Sequence, residues 1–271
     1  MSTIDPAAFR CFEHEGWQEI ASRYHSGFAA VTTQSVSALL DAAQMRPALR
    51  VLDVACGPGY VTAAATSRGA RAVGIDFSSE MIEEARGRYP GLEFREGDAE
   101  KLSFGGSEFA AVVSNFGMLH LGRPEIAIHE AYRVLRPGGH VAFTVWDTPD
   151  KALGFGIMIS AIQKHGDLNV PIPPGPPFFR FSDPEECKRV LVAAGFRDPA
   201  VMHVPQVWQL ESADALFDVM YHGSVRNAAT LRAQKPEVLD KIRAEIRAGV
   251  DQHRNELPMP AVLATAQKGA L

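Results

Sequence analysis

The sequence predicts a doubly wound α/β fold with a mostly parallel sheet, on three observations. An apolar run, Val51-Leu52-Asp53-Val54-Ala55, breaks into Cys56-Gly57-Pro58-Gly59 and resumes as a helical pattern through Val61, Ala64 and Ala65. Strand-like and helix-like stretches then alternate in five repeats as far as Trp146, the rhythm of parallel strands joined by helical crossovers. Phe109-Ala110-Ala111-Val112-Val113 is nearly continuous in apolar character, as a strand covered on both faces of a parallel sheet must be.

Taken in order, residues 1–48 read as helices, with Ile20, Phe28, Val31, Val36, Leu39 and Leu40 offering apolar faces broken near Gly27. Trp17, Tyr24, His25 and Phe28 make this lead-in rich in aromatic side chains, which suits either packing against the main domain or closure over a ligand. The first strand ends in the Gly-rich turn, and a helix runs to about Ser67, stopped by Gly69. Arg71-Ala72-Val73-Gly74-Ile75 is the second strand, ending at Asp76. Ser78 or Ser79 caps the next helix through Met81, Ile82 and Ala85, with Glu80 in its first turn. Leu92 to Gly97 alternates as a third strand, and Phe109 to Asn115 is the fourth.

A helix from Pro124 carries Ala127, Ile128, Ala131, Val134 and Leu135 on one stripe until Pro137-Gly138-Gly139 stops it. His140 to Trp146 is the fifth strand. A helix over 152–165 leads to a stiff Pro-rich loop from Val170 to Phe181, and Ser182-Asp183-Pro184-Glu185 caps another helix ending at Gly195. Val201 to Leu210 suits a sixth strand, residues 212–254 read as amphipathic helices, and Ala261 to Thr265 as a closing seventh strand. The expected organisation is an N-terminal helical lid (1–48), an α/β core (49–210), a helical cap inserted before the last strand (211–258), and the closing strand (259–271).

Composition narrows the function. The 271 residues are 46% hydrophobic and 22% charged, ordinary globular proportions, and a net charge of −5 with scattered Lys and Arg offers no footprint for nucleic acid. Cys11, Cys56 and Cys187 form no Cys-x-x-Cys pair, so neither a disulfide framework nor a zinc site is expected. No apolar run approaches the roughly 20 residues needed to span a bilayer and the first residues lack a leader pattern, which predicts a cytoplasmic protein.

The chemistry concentrates around the first turn. Gly57 and Gly59 let the backbone turn sharply and approach a ligand at a helix N-terminus. A dinucleotide site would carry a third Gly where Thr62 stands, and Asp53, just before the turn, would repel a pyrophosphate but suits the ammonium group of a cationic amino-acid ligand. Asp76 lies nineteen residues after Gly57 at a strand tip, positioned to accept from both hydroxyls of a ribose. The missing third Gly and the position of Asp53 favour S-adenosylmethionine over NAD.

Residues 51–59 resemble the first motif of the class I S-adenosylmethionine-dependent methyltransferases, hydrophobic-Asp-hydrophobic-x-Cys/Gly-Gly-x-Gly. Asp98-Ala99-Glu100-Lys101-Leu102-Ser103-Phe104 is similar to that family's adenine-binding segment, and Arg133 to Gly139 to its helix-stop motif. The resemblance is specific over residues 50–146 and looser beyond. It implies a seven-stranded sheet with a reversed last strand, S-adenosylmethionine as cofactor, and methyl transfer to a small-molecule acceptor by in-line displacement. It further implies cofactor contacts from Tyr24, Asp53, Ala55, Gly57, Gly59, Asp76, Phe77, Met81, Asp98, Ala99, Asn115 and Phe116.

Asn115-Phe116-Gly117-Met118 lacks the prolines of enzymes that methylate exocyclic amines. His120, His25 and His222 are candidate general bases, with His120 the foremost for its position after the fourth strand, where it serves either catalysis or loop geometry. Ser114 and Asn115 stand where metal-dependent relatives hold carboxylates, so no metal is expected. Met118, Phe178, Phe179, Phe181, Tyr221 and His222 either line a pocket for an apolar, partly aromatic, natural-product-like acceptor, with Arg180 or Arg226 as anchors for an anionic group, or form the core between the helical insertion and the sheet. The alternatives are a nucleotide-dependent oxidoreductase and a non-catalytic S-adenosylmethionine-binding protein.

Overall fold

The computed structural model describes residues 5–270; residues 1–4 and 271, which belong to the predicted lid and closing segments, lie outside the described residues. The chain opens with three helices: α1 (Pro6–Ile20), α2 (Ala29–Thr32) and α3 (Val36–Ala42). Asp5 caps α1, its carboxylate accepting from the N–H groups of Ala7 at 3.0 Å and Ala8 at 3.1 Å, and Pro6 occupies the first turn, where no donor is needed.

Four strands follow with their crossovers: β1 (Arg50–Val54), α4 (Tyr60–Ser67), β2 (Arg71–Asp76), α5 (Ser79–Arg88), β3 (Glu93–Glu96) and β4 (Phe109–Asn115). Then come α6 (Pro124–Val134), β5 (Leu135–Trp146), α7 (Leu153–His165), α8 (Pro184–Ala193), β6 (Phe196–Val204) and β7 (Val207–Gln209). The chain ends with α9 (Ala215–His222), α10 (Arg226–Arg232), α11 (Pro236–Gln252), β8 (Glu256–Pro258) and β9 (Ala261–Lys268).

The main sheet has the order β3-β2-β1-β4-β5-β9-β6. The first five strands in that order pair in parallel, and β9 runs antiparallel to both β5 and β6, giving the seven strands and the reversed last one expected from the sequence. Strand order reverses between β1 and β4, which opens a crevice at the carboxyl ends of those two strands. The two central strands are buried almost throughout, and large side chains such as Phe109, Phe143 and Leu52 fill the core on either side.

Two predicted elements are placed differently. Leu135 leaves the helix one residue early to begin β5, pairing with Phe109 across an irregularity, so Pro137-Gly138-Gly139 lies within a bulged strand rather than after a helix. The sixth strand starts at Phe196 and ends at Val204; Pro205, which has no N–H to donate, separates it from β7. β7 instead pairs antiparallel with β8 through Val207 and Pro258, Trp208 and Leu257, and Gln209 and Glu256, so this short ribbon brackets α9–α11 at both ends. In α11, Ile242, Ile246 and Val250 recur every four residues and are fully buried, which fixes the inward face of that amphipathic helix.

Candidate functional site

The crevice beyond β1 and β4 is lined by residues from every layer of the fold. Among them are Tyr24, Asp53, Ala55, Gly57, Asp76, Phe77, Met81, Asp98, Ala99, Asn115 and Phe116, so of the predicted cofactor contacts only Gly59 lies outside the lining, and His120 lines the crevice too.

Gly59 serves the turn itself. It takes φ +86°, and a Cβ there would stand 2.6 Å from the Phe94 ring, whereas Gly57, at φ +49°, would direct a Cβ into space free of protein atoms within 4 Å. Ala55 and Phe116, at the ends of β1 and β4, also hold positive φ of 56° and 57°, unusual for residues with side chains. Strained backbone thus frames the crevice on both sides.

Asp53 is almost completely buried. Its Oδ2 accepts from the backbone N–H of Thr62 at 3.0 Å and from the Thr62 hydroxyl at 2.7 Å, while its Oδ1 is buried with no partner among the described residues. Burial pushes the carboxyl up to about 7 against the two hydrogen bonds from Thr62, and neighbouring Asp76 adds to the rise. Asp76 accepts from Gly57 N–H through Oδ2 at 2.9 Å and from Ser78 N–H through Oδ1 at 3.0 Å; burial raises its pKa as well. Each of its oxygens retains a second lone pair for a hydroxyl donor.

Ser78 caps α5 by accepting from Met81 N–H at 3.2 Å, which sets Met81 and Phe77 along one wall. Asp98 turns back on Glu100 N–H at 2.9 Å and forms an ion pair at 3.0 Å with Arg10, carried in from α1. Tyr24 meets the Thr32 hydroxyl at 3.1 Å, and burial lifts its phenol to about 12, so it stays neutral. Asn115 is committed structurally: its oxygen accepts from Ser35 at 2.8 Å and Thr144 at 2.6 Å, and its nitrogen donates to Thr32 O at 2.9 Å, binding the N-terminal helices to the sheet.

His120 lies on a 3₁₀ turn, Met118–His120, directly after β4. Its Nδ1 is 2.9 Å from Glu13, and its ring meets Trp17 edge-on at 4.8 Å. The other two candidate bases lie outside the crevice lining: His25 meets the Tyr60 hydroxyl at 2.6 Å, and His222 meets Arg23 at 3.2 Å.

Beyond His120 the walls become aromatic, with Phe28, Trp146, Phe155 and Phe178. Trp146 and Phe155 are 5.3 Å apart, and Phe155 and Phe178 5.5 Å apart. Several residues expected here lie elsewhere. Phe181 and Met118 are buried in the core, Phe179 packs against that core, and Tyr221 stacks on Phe217 outside the lining. Arg180 is paired with Glu125 and Glu186. Arg226 does line the crevice, but its guanidinium is engaged by Glu13, Pro176 O and Leu119 O, so neither arginine is a free anchor.

Arg10, Glu13, Trp146 and Phe155 were not singled out from the sequence. A signal for Glu13 existed: Phe9, Glu13, Trp17 and Ile20 recur at spacings of four, four and three, which puts a carboxylate on the inward face of a helix. Among the described residues no group of three or more His, Cys, Asp or Glu is placed to hold a metal ion, and no helix is long and apolar enough to cross a membrane.

A family model described as a methyltransferase domain matches residues 51–139. A demethylmenaquinone methyltransferase of Beutenbergia cavernae is 39% identical over 112 residues, covering 41% of this chain and 47% of the relative. One from Chlorobaculum parvum is 42% identical over 91 residues, covering 33% of this chain and 38% of the relative. The chain thus spans half or less of the length of these relatives. Among solved structures, the phosphoethanolamine N-methyltransferase 2 of Haemonchus contortus in complex with S-adenosyl-L-methionine superposes with a TM-score of 0.59 at 18% identity, over 96% of this chain and 60% of that one, a likeness of fold.

Proposed function

We infer that the chain, whose residues 51–139 match a methyltransferase-domain family model, binds S-adenosylmethionine in the crevice and methylates an apolar, partly aromatic small molecule. The observation that carries this reading is the buried Oδ1 of Asp53, without a partner among the described residues, in a crevice that also holds the paired acceptor Asp76. A cationic amino-acid moiety would satisfy the first carboxylate and ribose hydroxyls the second, so the residues present fit the cofactor. Phe77, Met81 and Ala99 offer an apolar wall for a base beside Asp98.

When bound, the cofactor supplies an electrophilic sulfonium methyl. The chain's own contribution is to hold that ligand and an acceptor in line and to exclude water, and placement of this kind supplies much of the rate in a bimolecular displacement. The aromatic walls of Phe28, Trp146, Phe155 and Phe178 suit a planar acceptor. The names of the demethylmenaquinone relatives make a quinol of that type a second, narrower reading, favoured by the same walls.

Isothermal titration tests the cofactor assignment. S-adenosylmethionine binds one to one and NAD gives no heat on this account, and Asp76→Ala weakens S-adenosylmethionine by roughly 10- to 100-fold, the loss of hydrogen bonds to a charged group. Heat from NAD alone would favour the oxidoreductase instead.

A further inference from the structure

Glu13 joins three separate segments at the aromatic end of the crevice. It is 0% exposed, and a carboxylate buried that deeply persists only with strong partners. Oε2 accepts from the Trp17 indole N–H at 3.1 Å and lies 2.9 Å from His120 Nδ1, while Oε1 accepts from Arg226 Nε at 2.7 Å. Arg226 is held in turn by Pro176 O at 3.0 Å and by Leu119 O, and its guanidinium lies 4.4 Å from the centre of the Phe9 ring. Burial opposes the charge on Glu13, but His120 and Arg226 outweigh it and hold the carboxyl below its ordinary range.

An ionised carboxylate only accepts hydrogen bonds, so the hydrogen between Glu13 and His120 belongs to Nδ1. In the uncharged ring that assignment makes Nε2 the lone-pair nitrogen, whereas an imidazolium would carry a hydrogen there as well. Among the described residues nothing partners Nε2, and the ring lines the crevice between Trp17 and Phe178, whose centre is 6.3 Å away. An arrangement that only braced the loop would not require a nitrogen left open at the acceptor end.

We propose that Glu13 is the positioning residue that fixes His120 as a general base, and that the acceptor is a planar phenol or enol whose hydroxyl must lose its proton. The inference rests on the methyl-transfer reading above and specifies its substrate class. The hydroxyl proton passes to Nε2 and its bonding pair stays with the acceptor, which forms the new bond to the methyl carbon as the methyl–sulfur pair leaves with sulfur. The resulting imidazolium is neutralised by Glu13 and returns its proton to solvent.

Nitrogen-15 NMR of histidine-labelled full chain saturated with S-adenosylhomocysteine tests this, with His120→Gln assigning the ring signals. The wild type should carry its proton on Nδ1, and 2-naphthol should shift Nε2 while 2-methoxynaphthalene, of similar shape but without the hydroxyl proton, leaves it unmoved. Glu13→Gln should lose the single tautomer. A proton on Nε2 in the wild type, or an Nε2 signal indifferent to 2-naphthol, overturns the proposal, and the wild-type measurements hold even if the Glu13 variant fails to fold. Failure to bind S-adenosylmethionine would instead remove the underlying methyl-transfer reading.

Discussion

Thr62 donates two hydrogen bonds to a single oxygen of Asp53, from its N–H at 3.0 Å and its hydroxyl at 2.7 Å, and the other oxygen stays buried without a partner among the described residues. Where a dinucleotide fold would have its third glycine, this chain has a side chain that orients a carboxylate toward the crevice.

That carboxyl makes stability and binding depend on pH in opposite directions. Its folded pKa of about 7 stands above the ordinary 3.8. Below about pH 4 it is protonated in both folded and unfolded chains and costs nothing. Between about 4 and 7 only the unfolded chain ionises, so stability falls as pH rises, by about 4 kcal/mol in full. Asp53→Asn should therefore melt higher than wild type at pH 8 and nearly with it at pH 4, while losing cofactor affinity. In wild type, affinity for S-adenosylmethionine should weaken toward tenfold per unit as pH drops below about 7, because binding must then expel a proton. Calorimetric melts and titrations across pH 5–8 check both.

The two turn glycines should fail differently. Gly59→Val sets a branched side chain against Phe94 at a left-handed φ and should cost roughly 2–4 kcal/mol, read as a lower denaturant midpoint. Gly57→Ala has room and should cost about 1 kcal/mol, with its effect read mainly in cofactor affinity. Equal losses of stability in the two variants would contradict this division.

The N-terminal helices should respond to cofactor. Arg10 and Trp17 line the crevice from α1, Tyr24 and Phe28 from the segment after it, and Gln18 bonds Ser78 and Ser79 at its rim. Hydrogen exchange over residues 10–32 should slow when S-adenosylmethionine binds, since closing segments belong to the less stable parts of a fold. Identical exchange in the two states would make these helices fixed packing instead.

Phe178 and Phe181 separate pocket from core. Phe181→Ala should destabilise by about 3–5 kcal/mol, because that ring is buried against Phe143. Phe178→Ala should reduce acceptor turnover with cofactor affinity kept, and a normal rate in that variant would remove Phe178 from the acceptor site.

Local rules explain what the sequence disclosed and what it withheld. Asp53, Gly57, Gly59 and Asp76 were legible because a strand end and a tight turn constrain residue types within a few positions, and the continuous apolar strands marked a sheet covered on both faces. The acceptor end was less legible. Phe178, Phe179 and Phe181 are neighbours in one stiff loop, and only the tertiary arrangement turns the first into the crevice and the last into the core. Glu13 and His120 lie 107 residues apart, so their pairing is a property of how α1 docks. The split of the sixth strand at Pro205 was readable in principle, but alternation on both sides of the proline concealed it.

Methyl transfer itself is measured most directly by mass spectrometry of reactions with S-adenosylmethionine and a panel of phenolic, enolic and amine acceptors that includes demethylmenaquinol. The account predicts a methylated hydroxyl-bearing planar acceptor formed in equal amount with S-adenosylhomocysteine, and little of either from Asp76→Ala. Tight binding of S-adenosylmethionine with no methylated product from any acceptor would contradict it and leave a cofactor-binding protein without this chemistry.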